Sequence, residues 1–97
     1  MTHRFAGEAL AEYIAAGQYY NRQAPGLGDE FADEVEAGVR AILAAPFTWR
    51  VVEDDVRRHL VNRFPYGLYY TIEDSAVVIW AVKHLHRSPD YWQERRH

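Results

Sequence analysis

Cysteine is absent from the 97 residues. No disulfide can staple the fold, and no thiolate can hold a metal or attack a substrate. Long apolar runs are absent as well. Nothing approaches the roughly 20 residues that cross a bilayer, so no membrane partner is expected. The segment Met1-Thr2-His3-Arg4-Phe5 lacks the apolar stretch of a secretory signal, and a cytoplasmic location is expected. A molecule-wide positive field is also missing, because 11 Lys and Arg stand against 14 Asp and Glu for a net charge of −3. That field is the usual footprint of a nucleic-acid binder, so sequence-specific binding of nucleic acid by this chain alone is not expected. Repeats, linkers and low-complexity tracts are missing too, and a single domain over residues 1–97 follows.

What is present is a small apolar inventory and an uneven charge. About 48% of the residues are hydrophobic, enough for a real but small core. A domain of this size is only marginally self-sufficient, so a partner would add substantially to its stability. Residues 1–48 carry three basic side chains (Arg4, Arg22, Arg40) against seven acidic ones, whereas residues 49–97 carry eight against seven and four of the five histidines. A local basic face on the second half is therefore expected, built from Arg57, Arg58, Arg63, His84 and Arg87.

The densest structural signal lies in Val56–Trp92. Two runs rich in Tyr, Val, Ile and Trp, Tyr66–Ile72 and Ala76–Val82, flank Glu73-Asp74-Ser75. Such runs suit a pleated surface and read as an antiparallel hairpin. In the second run Val78, Trp80 and Val82 are expected on one face and Val77, Ile79 and Ala81 on the other. Both faces are then apolar, as in a central strand.

The rest of the chain frames that hairpin. Thr2–Ala6 reads as a short first strand. From Gly7 to about Arg22, Leu10, Tyr13, Ile14, Gly17 and Tyr20 recur at helical spacing and are expected on the inner face. Glu8 and Glu12 sit near the start, where the macrodipole favours acids. Ala24-Pro25-Gly26 breaks the pattern. A second helix runs from about Gly28 to Ala45 on the stripe Phe31, Val35, Val39 and Ile42, with Asp29 and Glu30 in its first turn and Pro46 beyond its end. Phe47–Val52 reads as a connector carrying an exposed Trp49, Glu53-Asp54-Asp55 as a turn, and Val56–Asn62 as a strand. Pro65 stands at the start of the next strand, where a missing N–H does least harm. Tyr91–Arg95 reads as a final turn of helix. The order is βααβββ, an α+β fold with a helical hairpin packed on one face of a small, mostly antiparallel sheet.

Several ordered residues resemble one family. They are Tyr19-Tyr20, Gly26-Leu27-Gly28, Phe31 and Glu34-Val35-Glu36, then Arg63-Phe64-Pro65-Tyr66, Tyr70-Thr71-Ile72 and His84-x-x-Arg87-x-Pro89-x-Tyr91-Trp92. Together they are similar to the RelE/ParE superfamily of bacterial toxins, over nearly the whole chain. The resemblance implies the toxin of a type II toxin–antitoxin pair, silenced by a co-expressed, ParD-like antitoxin in a hetero-oligomer. RelE-like members cut mRNA on the ribosome, and ParE-like members inhibit DNA gyrase.

The residues favour the ParE branch. RelE-like cleavage implies cations around a scissile phosphate. Arg58 stands where one lysine is expected, but Leu60 falls where the second belongs, and Gly67 replaces the arginine expected after Tyr66. A nuclease would be left with Arg58, Arg87 and Tyr91. The acidic balance also argues against binding ribosomal RNA. The leading expectation is thus a non-enzymatic gyrase inhibitor with no cofactor. An mRNA endonuclease is the alternative, and an interaction module without toxicity a third reading. Arg57, Arg58, Arg63, His84, Arg87 and Tyr91 are the target-facing candidates. His84 and His86 could share a face, but no third ligand accompanies them and no metal is expected. The helical hairpin can cover only one face of the sheet, and the first helix has more apolar residues than one stripe needs. An apolar groove for the antitoxin is therefore expected, with Tyr13, Tyr19, Tyr20, Trp49 and Trp80 as candidate contacts.

Overall fold

The computed structural model describes residues 1–86. A short strand β1 (Thr2–Phe5) leads into helix α1 (Gly7–Gln23), helix α2 (Leu27–Ala44), and strands β2 (Arg50–Glu53), β3 (Val56–Leu60), β4 (Tyr66–Glu73) and β5 (Ala76–His84). The five strands form one sheet in the order β1-β5-β4-β3-β2. Every pairing is antiparallel except β1 on β5, which is parallel. The expected α+β architecture, a helical hairpin on a mostly antiparallel sheet, is what the chain adopts.

One strand was not expected. Residues 50–53 read as connector and turn, yet they form the edge strand β2, antiparallel to β3. Their signal is weak because β2 has only four residues and Val52 is bulged between the pairs Val51–Arg57 and Glu53–Val56. A bulged edge strand shows no alternation to read, and such bulges also discourage pairing with other sheets.

The β4–β5 hairpin turns at Asp74-Ser75, with φ of 50° and 65°. Two successive positive φ values are what a type I′ turn requires, and its twist matches that of the strands it joins. Farther along, β5 carries a bulge. Tyr70 pairs with Ile79 and Tyr69 with Ala81, so Trp80 is an extra residue without an opposite number. The alternation slips by one there. Val77, Ile79 and Val82 share the helix-covered core, whereas Ala81 packs with Val56 and Tyr69 on the opposite face. The expected grouping of Val82 with Val78 and Trp80 is corrected accordingly.

The main core joins Phe31, Val35, Val39 and Ile42 of α2 to Leu68, Tyr70, Val77 and Ile79 of the sheet. Full burial of side chains of this size contributes about 1.5–3 kcal/mol each. Phe31 stands at the centre of an aromatic cluster with Tyr20, Phe64 and Tyr66, all with ring centroids within 5.2 Å of it. Helix α1 is rotated from its expected setting. Its buried residues are Ala9 and Ala16, with Tyr13 and Tyr20 half-buried beside them, while Leu10 is 46% and Ile14 53% exposed. Small alanines let α1 lie close to β5, and the larger aliphatic side chains face outward.

Candidate functional site: a groove between the first helix and the sheet edge

The outward setting of α1 opens a groove on its side away from α2. Ala11, Glu12, Ala15, Ala16 and Tyr19 form one wall and Tyr66, Val82 and His84 the other, around a volume of about 600 Å³. The helical wall is low because three of its five α1 residues, Ala11, Ala15 and Ala16, are alanines. Tyr19 is 49% exposed and stands edge-on to Tyr20 at 5.3 Å between ring centroids. His84 lies edge-on to Tyr66 at 5.3 Å and next to His86. Glu12 reaches the edge of the sheet, where its carboxylate accepts the backbone N–H of Val82 at 3.0 Å. The groove thus combines apolar walls with a few placed polar atoms, the composition of a recognition surface.

The five aromatic candidates for antitoxin contact do not share this groove. Tyr19 lines it. Tyr13 is tied into the helical hairpin, where its hydroxyl donates to the Glu36 carboxylate at 2.8 Å and lies 3.2 Å from the Ala32 carbonyl oxygen. Burial and then the Glu36 carboxylate raise its pKa well above the ordinary tyrosine range. Tyr20 is packed among Phe31, Phe64 and Tyr66, and burial raises its pKa too. Trp49 is half-buried rather than exposed, because it packs edge-on against His59 at 4.4 Å. Trp80 lies on the opposite face of the sheet, donating from Nε1 to the Thr71 hydroxyl at 2.9 Å beneath the Arg4 guanidinium.

Nor do the basic candidates gather into one patch. Arg57 lies opposite Tyr70 on the helix-covered face. It donates to the carbonyl oxygens of Phe47 and Trp49 at 3.0 and 2.7 Å. It therefore clasps the chain that leaves α2, and Tyr70 helps by donating to the Pro46 carbonyl at 2.6 Å. Burial pushes the Tyr70 hydroxyl up to about 12, and Arg57 partly opposes that. Arg58 lies opposite Tyr69, on the other face. Arg63 crosses to α2, where it pairs with Glu30 at 2.8 Å and Glu34 at 3.8 Å. His84 lines the groove. Neighbours on a strand necessarily point to opposite faces, so clustering in the sequence could not become clustering in space for Arg57 and Arg58. Arg87 and Tyr91, and the expected turn of helix at Tyr91–Arg95, lie outside the described residues.

A smaller cavity of about 280 Å³ lies between α2 and β3, beside Gly38, Trp49 and His59. Trp49 Nε1 and His59 Nδ1 are buried there without a hydrogen-bond partner among the described residues. Burial lowers the His59 pKa. Among the described residues no group of His, Asp and Glu is placed to hold a metal ion, and no helix is long and apolar enough to cross a membrane. The groove residues that sequence reasoning did not single out are Ala11, Glu12 and Val82. Only the bulge at Trp80 turns Val82 toward the helices, and nothing in the local sequence announces that bulge.

Comparison with known proteins places these features in context. A family model described as the ParE toxin of the type II toxin–antitoxin system parDE matches residues 4–89. Among solved structures, the chromosomal ParDE TA system from P. aeruginosa contains a chain that superposes with a TM-score of 0.78 at 16% sequence identity, covering 89% of this chain and 97% of that one. At that identity the likeness speaks to the fold. No curated protein matches the chain.

Proposed function

Because the chain belongs to the ParE toxin family of type II toxin–antitoxin systems, we propose that it is the toxin of such a pair, that its antitoxin docks along α1, and that its target is DNA gyrase in the cytoplasm. The observation that carries the antitoxin reading is the rotated setting of α1. Tyr19, about half exposed, lines a groove walled by alanines, and Leu10 and Ile14 leave further apolar surface exposed on the other side of α1. Apolar surface of this kind on a small domain marks a contact site. An antitoxin segment laying aliphatic side chains against α1 would remove it from water.

The gyrase reading rests on family membership and on the fate of the cations. Cleavage of a phosphodiester needs positive groups converging on one phosphate. Arg57 and Arg63 are instead engaged in holding α2 and its exit, whereas Arg58 faces away from the helices, opposite Arg50 of the edge strand. Arg58, with Arg87 and Tyr91, is the proposed target-facing set. The test is a supercoiling assay with purified gyrase. Added toxin is expected to inhibit supercoiling, and the product of the neighbouring antitoxin gene to relieve the inhibition. Undiminished supercoiling, together with codon-linked mRNA cuts after brief induction in cells, would replace gyrase by the ribosome as target.

A further inference from the structure

The face of the sheet turned away from the helices carries a charge arrangement that folding alone does not favour. Arg50 of β2 lies directly opposite Arg58 of β3, and Arg58 lies opposite Tyr69 of β4. Tyr69 packs with Val56 and Ala81 on that face, and residues opposite one another in an antiparallel pair share a face. The two arginine side chains therefore leave neighbouring strands side by side, with Cβ atoms about 4.5–5.5 Å apart, and like charges so placed are destabilising. Among the described residues neither forms an ion pair, whereas Arg63 meets Glu30 and Glu34. The Arg58 stem has a seat. A Cβ on Gly67 would lie 3.2 Å from Arg58 Cγ and 3.3 Å from Arg58 Cδ, so the glycine leaves a hollow that the stem fills. Arg58 is half-buried and Arg50 is exposed. One side chain of the pair is held by packing, and the other is free to adjust.

We propose that Arg50 and Arg58 form an oxyanion clamp for one carboxylate, an Asp or Glu side chain of the target protein. This rests on the gyrase reading above and names a contact through which the toxin engages gyrase. Each guanidinium presents a planar fork of N–H donors that matches a carboxylate in a bidentate way. A carboxylate held between the two forks replaces their mutual repulsion by two attractions. A single carboxylate suits the site better than a phosphodiester chain, because the net charge of −3 repels a polyanion while local geometry still binds one acid. The clamp is also remote from the groove. In the sheet order β2 and β3 stand at the opposite end from β1 and β5, and the arginines lie on the face that the helices do not cover. Gly67 gains a role here. It stands where the RelE-like pattern has an arginine, and its missing side chain seats Arg58 instead.

The experiment is titration calorimetry of the full-length toxin with purified gyrase, without and with DNA, for the wild type, Arg50→Gln, Arg58→Gln and the double variant. Each protein is also titrated with the product of the neighbouring antitoxin gene. Without DNA, each single substitution is expected to raise the Kd for gyrase about tenfold, as loss of a charge-assisted contact does. The double variant is expected to raise it by less than the product of the two, because both side chains serve one carboxylate. The Kd for the antitoxin is expected to stay unchanged, which also shows that each variant is folded. An unchanged Kd for gyrase in both single variants, or effects that simply multiply, overturns the shared clamp. Weakening that appears only with DNA present assigns the anion to a phosphate and overturns the carboxylate. An equal loss of affinity for the antitoxin overturns the assignment to the target. A wild-type toxin that binds gyrase neither with nor without DNA overturns the gyrase reading and the clamp together.

Discussion

At the scale of single residues, His59 shows how the interior treats a group that can charge. Its ring lies edge-on to Trp49 and close against the backbone of α2 at Gly38, where a Cβ would come within 3.0 Å of His59 Cδ2. Burial lowers its folded pKa below the ordinary 6.5. Between the folded and unfolded values the unfolded chain holds more protons, so stability is lost as pH falls from about 6.5 through the folded pKa. Urea midpoints measured at pH 7.5 and 5.5 are expected to drop at the lower pH, and His59→Phe, which keeps a ring against Trp49, is expected to reduce the drop. An equal drop in both proteins would mean that other groups control the acid limit. The sequence marked His59 only as one histidine among five. Its burial depends on β3 meeting α2 across Gly38, a contact between distant segments that no local pattern records.

At the scale of elements, the two helices are fixed by a close approach at their linked ends. Gly28 donates its N–H to the Asn21 side-chain oxygen at 2.8 Å. A Cβ on Gly28 would run into the Gly17 carbonyl oxygen and lie 2.6 Å from Asn21 Cγ, whereas a Cβ on Gly17 would have no neighbour nearer than 4.0 Å. Gly28→Ala is therefore expected to destabilise by about 1–3 kcal/mol as an overpacked contact. Gly17→Ala is expected to be neutral, or to stabilise by up to about 1 kcal/mol from helix propensity. Chemical denaturation of the two variants checks this asymmetry, and similar values for both would remove the close approach as its cause. Elements were the most legible level of this chain. The stripe Phe31, Val35, Val39 and Ile42 announced α2, and Ala24-Pro25-Gly26 announced the loop. Reading failed where spacing alone cannot choose. Leu10 and Ile14 have helical spacing, but packing gave the inner side to Ala9 and Ala16. The four residues of β2 and the slip at Trp80 depend on partner strands, so neither left a periodic trace. The candidate site suffered most, because its walls come from three elements and its far wall is set by that slip.

At the scale of the whole molecule, a chain of 97 residues buries a modest share of its surface and gains from any partner that binds only the folded form. The main core lies on one side of the sheet, and α1 leaves Leu10 and Ile14 exposed on one of its sides and Tyr19 on the other. Saturation with antitoxin at about 100 times Kd is expected to add about 2.7 kcal/mol, a rise in melting temperature of about 10–20 °C for a domain of this size. Thermal melts with and without the neighbouring gene's product measure it, and no shift at saturation would contradict the antitoxin reading.

The parallel pairing of β1 has a consequence in time. Thr2 lies opposite Ala76, so the first strand made cannot be placed until the last strand of the sheet has been synthesised. At about 5–20 residues per second, the ribosome needs about 4–15 s to cover that separation. The helical hairpin emerges well before its sheet, with the inner side of α1 still unsheltered. Each newly made molecule thus passes through a delay in which it is not yet a finished toxin, and an antitoxin already present can meet it as it closes.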